Sequence, residues 1–175
     1  MSTEQNVYLI GPMGVGKTTI GKSLARQLRL EFVDADQEIE KHTGVSIATI
    51  FDIEGEEAFR VREKTMIEKL TTRRGIVLAT GGGVILDAGN RNNLRKSGTV
   101  VYLHASVDLQ LERTRNDKNR PLLNRGDDRR AILESLMAER DPFYRGEADH
   151  VIATDGQSPQ AVARHIAREL MKSWP

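Results

Sequence analysis

A glycine-rich segment near the start of the chain carries the clearest chemical signal. Residues 11–18 read Gly-Pro-Met-Gly-Val-Gly-Lys-Thr, which matches the pattern G-x-x-x-x-G-K-[S/T] at every fixed position. The glycines let backbone amides turn toward phosphate oxygens, and the positive end of the following helix adds to the attraction. Lys17 is expected to reach the outer phosphates and Thr18 to bind Mg²⁺. The segment therefore predicts a binding site for a nucleoside triphosphate.

Two acidic residues follow the second short apolar run of the chain. Asp34 and Asp36 come directly after Phe32 and Val33, and residues two apart at the end of a strand point the same way. One carboxylate could hold hydrated Mg²⁺ while the other accepts a hydrogen bond from a substrate hydroxyl. The alternative is an acidic cap for a helix that starts near residue 37, and the two roles can coexist.

Charged residues also interrupt two apolar helix faces. Glu63 falls in register with the apolar residues of a helix predicted around 59–70, where a buried acid needs a partner such as Arg60. Arg140 is the next member of the apolar stripe at 132–137. Both arginines are predicted to bind an anionic ligand. The alternatives are a structural ion pair for Arg60 and a surface position for Arg140.

Two further segments could approach a ligand. Gly81–Gly83 follow the apolar run 76–79, and three glycines would let a ligand come close to the backbone, although they could also form a tight turn. Residues 116–128 are polar and contain Arg120 with basic neighbours. They predict a lid whose arginine closes over the phosphates, with a solvated charged loop as the alternative.

The elements that must position these residues alternate along the chain. Helical periodicity separates short apolar runs that predict five strands, at 7–10, 32–33, 76–79, 100–103 and 151–152. Ser158 and Pro159 predict the start of a last helix. Alternating strands and helices indicate right-handed βαβ units and a parallel sheet covered on both faces. We expect one domain over residues 1–175.

Composition excludes several classes of protein. The 26 basic and 25 acidic residues leave a net charge of +1, which argues against a dedicated nucleic-acid binder. The chain has no cysteine, so disulfides, thiolate metal sites and thiol catalysis are excluded. No run of about 18 apolar residues occurs, and residues 1–6 are polar. We expect a cytoplasmic monomer with no membrane partner and no secretory signal.

The type of nucleotide-binding protein can be narrowed further. A GTPase would carry N-K-x-D for guanine, which occurs nowhere, and the D-x-x-G string at 52–55 lies in a helix-like stretch. A motor or transporter ATPase would have a strand ending in an acid, whereas the third strand here ends in threonine and glycines. A small chain without coupling machinery favours a kinase that phosphorylates a small molecule.

Taken together, these segments resemble the shikimate kinase family over roughly residues 6–172. Beyond the phosphate-binding loop, the resemblance rests on an ordered set of five short motifs: F-V-D-A-D at 32–36, F-R-V-R-E at 59–63, A-T-G-G-G at 79–83, R-P-L-L at 120–123 and E-R-D-P-F-Y at 139–144. Residues 143–144 read Phe-Tyr where the family often has Leu-Tyr, and neither residue is expected to touch the site.

The resemblance implies an activity and a fold. The activity is ATP-dependent phosphorylation of the 3-hydroxyl of shikimate, giving shikimate 3-phosphate and ADP, in chorismate and aromatic amino-acid biosynthesis. The fold is a three-layer α/β/α P-loop kinase of the nucleoside-monophosphate-kinase type, with a five-stranded parallel sheet. It would carry a mobile lid at about 116–128 and a substrate-binding helical region at about 34–63.

The resemblance also implies roles for individual residues. Lys17, Asp36 and Arg120 would be catalytic. Thr18 would ligate Mg²⁺ and Asp34 would reach the ion through water. Shikimate would be bound by Asp36, Arg60, Gly82 and Arg140. ATP would be bound by Gly14, Val15, Gly16, Lys17, Thr18, Thr19 and Arg120, with Arg113 and Gln157 beside adenine.

Two alternatives remain at this point. A gluconate kinase would share the fold and act on another hydroxy acid. A non-catalytic ATP-binding module would share the phosphate-binding loop. An acid with two arginines and a basic lid favours an enzyme, because sensing ATP requires no second substrate pocket.

Overall fold

The computed structural model describes residues 5–118, 120–125 and 128–175 of the chain. In this part, five strands form one sheet: β1 (Val7–Ile10), β2 (Glu31–Asp34), β3 (Ile76–Ala79), β4 (Thr99–His104) and β5 (His150–Ala153). All neighbouring strands are parallel, in the order β2-β3-β1-β4-β5. This confirms the predicted α/β fold and its five-stranded sheet.

Seven α-helices cover the sheet in the described residues. They are α1 (Lys17–Leu28), α2 (Ala35–Thr43), α3 (Ile47–Leu70), α4 (Ala88–Ser97), α5 (Val107–Thr114), α6 (Arg129–Glu147) and α7 (Pro159–Ser173). Short 3₁₀ turns occur at Val84–Leu86 and Pro121–Arg125. Helix α3 is kinked at Gly55, where φ is 87° and ψ is 172°. Among the described residues, no helix has the length and apolar character needed to span a membrane.

The core consists of two apolar layers, one on each face of the sheet. In β1, Tyr8 and Ile10 join a cluster with residues of α3, α4 and α6, whereas Val7 and Leu9 join a cluster with α1 and α7. All four side chains are fully buried. A central parallel strand is covered on both faces, so its sequence is continuously apolar instead of alternating.

The register of the sheet brings three functional segments to one edge. Leu9 of β1 pairs with Ala79 of β3, and Ala79 pairs with Asp34 of β2. The phosphate-binding loop, the glycine turn and the start of α2 therefore leave the sheet side by side. Ligands of open α/β sheets bind at this carboxyl edge, where the chain switches from one side of β1 to the other.

The structure corrects the expected geometry of the two aspartates. Strand β2 ends at Asp34, and Asp36 lies in the first turn of α2, so the two side chains do not share a strand face. The Oδ1 atom of Asp34 accepts a hydrogen bond from the Gln37 amide at 3.1 Å and caps α2. The predicted helix cap is thus present, and the tight strand-to-helix junction brings both carboxylates to the same edge.

The predicted lid is only partly within the described residues, since positions 119, 126 and 127 lie outside them. Its described part includes the 3₁₀ turn Pro121–Arg125, which packs against α6. Leu123 in this turn is 1% exposed. The sequence gives no apolar periodicity here, because a single buried leucine leaves no periodic signal.

Candidate active site

A cavity of about 280 Å³ lies beside the phosphate-binding loop. Gly14 and Gly16 have φ values of 78° and 96°, which side-chain-bearing residues rarely adopt. These glycines form the turn that leads into α1, so the N-terminus of α1 faces the cavity. Its lining includes residues from five segments: Met13, Gly14, Gly16, Lys17, Thr18, Thr19, Asp34, Asp36, Thr80, Gly81, Gly82, Arg113 and Arg120.

Lys17 is folded back onto the loop that carries it. Its Nζ donates hydrogen bonds to the carbonyl oxygens of Gly11 at 2.5 Å and Pro12 at 2.9 Å. Burial, with the nearby positive charge of Arg120, lowers the pKa of Lys17 to about 7, against the opposing effect of Asp36 and Asp34. An anionic phosphate in this cavity would favour the charged form of Lys17.

Thr18 and Asp34 form the polar corner of the same cavity. The Thr18 hydroxyl donates a hydrogen bond to Asp34 Oδ2 at 2.8 Å. A hydroxyl and a carboxylate fit Mg²⁺, which prefers oxygen ligands and is commonly held by one or two protein groups together with substrate phosphates and water. The described residues contain no cluster of three or more His, Cys, Asp or Glu side chains that would hold a metal ion by themselves.

A second cavity of about 280 Å³ lies between the glycine turn, α2, α3, α6 and the lid segment. Arg60 and Arg140 supply two cations, and Phe51 and Phe59 supply apolar surface. Arg60 Nη1 donates to Glu63 Oε1 at 2.9 Å, as the sequence predicted. The cavity can therefore hold a small anion that also has an apolar face.

The three consecutive glycines lie against the charged side chains of this cavity. A Cβ atom at Gly81 would lie 2.9 Å from Glu63 Oε2 and 3.2 Å from Asp36 Oδ1. At Gly82 it would lie 3.3 Å from Arg140 Nη1, and at Gly83 it would lie 2.5 Å from both terminal nitrogens of Arg60. The turn lacks side chains because the ligand-facing charges occupy that space.

Three buried polar atoms of this cluster have no hydrogen-bond partner within the described protein: Asp36 Oδ1, Glu63 Oε2 and Arg140 Nε. Burial raises the pKa of Asp36 to about 6, with Glu63 and Asp34 adding to the shift. Burial also raises the pKa of Glu63 in spite of Arg60. Because unpaired buried polar atoms are costly, their convergence indicates a polar ligand.

The two cavities meet at a shared wall. Five residues line both of them: Met13, Asp36, Gly81, Gly82 and Arg120. A group on a ligand in the phosphate cavity can therefore face a ligand in the second cavity, with Asp36 and Arg120 beside both. This arrangement suits transfer of a phosphoryl group between two bound molecules.

Comparison with known proteins identifies the family. The family model "Shikimate kinase" matches residues 13–171. A curated shikimate kinase of Pseudoalteromonas atlantica is 53% identical over 170 residues, covering 97% of this chain and 99% of that protein. The chain belongs to the shikimate kinase family.

Solved structures agree with this family assignment. A shikimate kinase from Acinetobacter baumannii in complex with shikimate matches with a TM-score of 0.95 and 47% identity, over 98% of this chain and 95% of that one. A gluconokinase from Sinorhizobium meliloti matches at 18% identity with a TM-score of 0.59 over the full length of both chains, which shows a shared fold alone. The gluconate kinase alternative is therefore not favoured.

Not all residues that the shikimate kinase resemblance assigned to ATP line the phosphate cavity. Arg113 lines the phosphate cavity, and its Nη1 donates to the Val15 carbonyl at 2.7 Å. The Val15 side chain is buried in the core. Gln157 is exposed, lines neither cavity and donates to the Ala153 carbonyl at 2.9 Å. The cavities thus bring together every predicted site residue except Val15 and Gln157.

Sequence reasoning missed several residues at the two cavities. Met13 lines both, although it occupies a variable position of the phosphate-binding motif. The glycine turn was predicted as a whole to admit a ligand, with only Gly82 assigned to shikimate, and Cβ atoms at Gly81 and Gly83 would lie at least as close to the charged cluster. Phe51 in the second cavity was not singled out, and nothing in the sequence singles out Met13.

A larger cavity, of about 750 Å³, lies elsewhere, between α2 and α3. Its lining is mainly apolar and includes Ile39, Val61 and Met66. It shares no residue with the phosphate cavity or with the second cavity. Size alone does not identify the active site in this family member, because the chemistry lies in the two smaller cavities.

The charge on Asp36 should lower the stability of the protein. The pKa of Asp36 is about 6 in the folded protein and about 3.9 in an unfolded chain. Its contribution is therefore most favourable below pH 4 and is lost as the pH rises through 6. Asp36→Asn should raise the free energy of unfolding by on the order of 1–3 kcal/mol at pH 8, with the difference vanishing near pH 4.

Denaturant unfolding of the two proteins at pH 4 and pH 8 measures this effect. Asp52→Asn is the matched control, because Asp52 is exposed on α3 and its replacement should change stability little at either pH. A destabilised Asp36→Asn protein at pH 8 would show that the ionised carboxylate is satisfied in the folded state.

Proposed function

We propose that this protein transfers the γ-phosphoryl group of ATP to the 3-hydroxyl of shikimate, giving shikimate 3-phosphate and ADP, in the pathway to chorismate and the aromatic amino acids. The observation that supports this most directly is the wall shared by the phosphate cavity and the anion-binding cavity. Membership of the shikimate kinase family supports the choice of substrate. The cytoplasmic location, the monomeric state and the absence of nucleic-acid and membrane partners stay predictions.

Shikimate carries one carboxylate, three hydroxyls and a hydrocarbon ring, and the second cavity offers a partner for each. Arg60 and Arg140 bind the carboxylate, because a guanidinium matches its geometry with two parallel hydrogen bonds. Asp36 accepts a hydrogen bond from the hydroxyl that reacts. Phe51 and Phe59, whose ring centroids are 4.9 Å apart, contact the ring carbons.

Asp36 orients the acceptor hydroxyl and takes its proton as the new P–O bond forms. A base is most useful when its pKa lies near the working pH, and burial has raised the pKa of Asp36 to about 6. The phosphoryl group leaves ADP and the hydroxyl proton moves to an Asp36 oxygen. This balances the reaction without a free hydroxide.

Two cations stabilise the negative charge that develops on the phosphoryl group during transfer, one from the phosphate-binding loop and one from the lid segment. Lys17 leaves the loop carbonyls and binds the outer phosphates, and Arg120 reaches them from the lid segment. Thr18 and Asp34 would hold Mg²⁺, Asp34 through water. The ion neutralises phosphate charge when it is bound. Closure of the lid over both cavities would exclude water and prevent hydrolysis of ATP.

The function is tested by measuring ADP release with shikimate or gluconate as the acceptor. Shikimate should support turnover and gluconate should not. Lys17→Ala should fold and lose at least about 100-fold in kcat, because the transferring phosphoryl loses a preorganised cation. Turnover with gluconate would contradict the choice of substrate. ATP binding without turnover on either acceptor would point to the non-catalytic module.

Arg120→Ala should separate catalysis from binding. Arg120 is held by Asp117 at 2.9 Å and lines both cavities, so its charge acts where the phosphoryl group crosses. We expect kcat to fall by about 10²–10³-fold, with the dissociation constant of shikimate changed by less than about threefold.

Lys118→Ala provides the matched control for the lid variant. Lys118 is exposed in the same segment and lines neither cavity, so its loss should leave both turnover and binding near the parental values. Binding of shikimate and turnover are measured on the same preparations. Collapse of shikimate binding with preserved kcat in Arg120→Ala would assign Arg120 to the substrate pocket.

A further inference from the structure

Helix α6 carries a second residue that reaches the glycine turn. Tyr144 lies one helical turn after Arg140, and its side chain is fully buried. Its hydroxyl donates a hydrogen bond to the carbonyl oxygen of Gly82 at 2.5 Å. The sequence-based expectation that this residue touches no part of the site was therefore wrong. The spacing of four from Arg140 was the available signal, because residues four apart share a helix face.

The same hydroxyl also meets Arg140. Burial raises the pKa of Tyr144 to about 12, against the lowering effect of the positive Arg140 guanidinium. The hydroxyl is therefore protonated at neutral pH and donates to Gly82, and its oxygen can still accept a hydrogen bond from a neighbouring donor. Arg140 is such a neighbour, since it lines one small cavity together with Tyr144.

The hydrogen bond to Gly82 fixes the direction of a peptide plane. In a trans peptide the carbonyl and the N–H point to opposite sides, so the N–H of Gly83 points away from Tyr144. Neither this N–H nor that of Gly82 has a hydrogen-bond partner among the described residues. The turn is anchored on the α6 side, whereas its amides remain available to a ligand.

Tyr144 cannot itself contact the substrate. It lines neither the phosphate cavity nor the second cavity. Its hydrogen-bond partner Gly82 and its neighbour Arg140 both line the second cavity. Any effect of the hydroxyl on shikimate must therefore pass through these two groups.

We propose that the Tyr144 hydroxyl is a positioning group for shikimate, which locks the Arg140 guanidinium and the Gly82–Gly83 peptide into one fixed geometry. This inference rests on the proposed function. Without the hydroxyl, the guanidinium and the peptide can move independently, and shikimate must order them when it binds. Gly82 also borders the phosphate cavity, but the phosphate-binding loop makes no hydrogen bond to Tyr144 among the described residues, so we expect only a small effect on ATP binding.

A second buried tyrosine supplies a matched control. Tyr102 stacks on Tyr144 with ring centroids 4.9 Å apart and is equally buried. Its hydroxyl also donates a hydrogen bond to Asp141 Oδ1 at 2.6 Å, and Met137 Sδ lies 3.8 Å away as a weaker acceptor. Tyr102 lines neither cavity. Each Tyr→Phe change removes one hydroxyl oxygen from the same apolar cluster. Only Tyr144→Phe removes a hydrogen bond to a residue that lines the second cavity.

The test compares Tyr144→Phe and Tyr102→Phe in steady-state kinetics with each substrate varied. Tyr144→Phe should raise the KM for shikimate about tenfold, which corresponds to about 1.4 kcal/mol. The KM for ATP and kcat should change by less than about threefold. Tyr102→Phe should leave all three values near those of the parent protein. A purely structural role would affect both substrates or neither.

The double variant with Arg140→Lys adds a second readout. If Tyr144 acts by holding Arg140, then Tyr144→Phe should raise the shikimate KM much less in the Arg140→Lys background than in the parent. Tyr102→Phe should show no such coupling. Additive effects of Tyr144→Phe and Arg140→Lys would overturn the proposed link.

The outcomes separate this inference from the proposed function. Failure of the parent protein to phosphorylate shikimate would refute the function. An active parent with an unchanged shikimate KM in Tyr144→Phe would refute the positioning role alone, as would an equal rise in Tyr102→Phe. A Tyr144→Phe protein that fails to fold while Tyr102→Phe folds would assign the hydroxyl to stability and overturn the proposal.

Discussion

The site depends on one constraint: several charged side chains are buried against Gly81–Gly83, which have no side chains of their own. Asp36 and Glu63 have buried oxygens with no hydrogen-bond partner among the described residues, and the charge of Glu63 adds to the cost of ionising Asp36. Arg60 and Arg140 lie within contact distance of the positions that side chains would take at Gly83 and Gly82. A group of this kind is stable only when the surrounding fold holds it rigidly. The rest of the structure can be understood as the means of holding it.

The sheet supplies that rigidity through its register. Leu9, Ala79 and Asp34 lie side by side in three adjacent strands, so the segments that follow them diverge from one edge. Helix α3 carries Arg60 and Glu63, and α6 carries Arg140 and Tyr144. Both helices pack against the sheet through fully buried apolar residues. The positions of the strands therefore determine where the charged side chains on these helices lie.

The sequence predicted the parts of this structure that leave a periodic or local signal. The phosphate-binding loop follows from its glycines, and the inward positions of Glu63 and Arg140 follow from the apolar stripes that contain them. Both side chains are buried as expected. Asp36 was placed at the right edge for the wrong reason, because nothing in F-V-D-A-D shows that the strand ends at Asp34. The spacing of Tyr144 from Arg140 indicates a shared helix face, but nothing local to either segment identifies Gly82 as the hydrogen-bond partner.

The turn at Gly81–Gly83 consists of glycines because the charged ligand-binding side chains occupy the space that other side chains would need. Gly83→Ala tests this explanation most directly. Gly83 has φ −93° and ψ 3°, which alanine can adopt, so only the new methyl group matters. That methyl would lie 2.5 Å from the Arg60 guanidinium, which must move away. Gly146→Ala is the control, because a Cβ there meets nothing within 4 Å.

Isothermal titration of both variants with shikimate and with an ATP analogue is the decisive measurement. Gly83→Ala should remain folded and bind shikimate at least about tenfold more weakly, or about 1.4 kcal/mol, with nucleotide affinity unchanged. Gly146→Ala should match the parent protein for both ligands. Parental shikimate affinity in Gly83→Ala, or an equal loss for both ligands, would contradict the account.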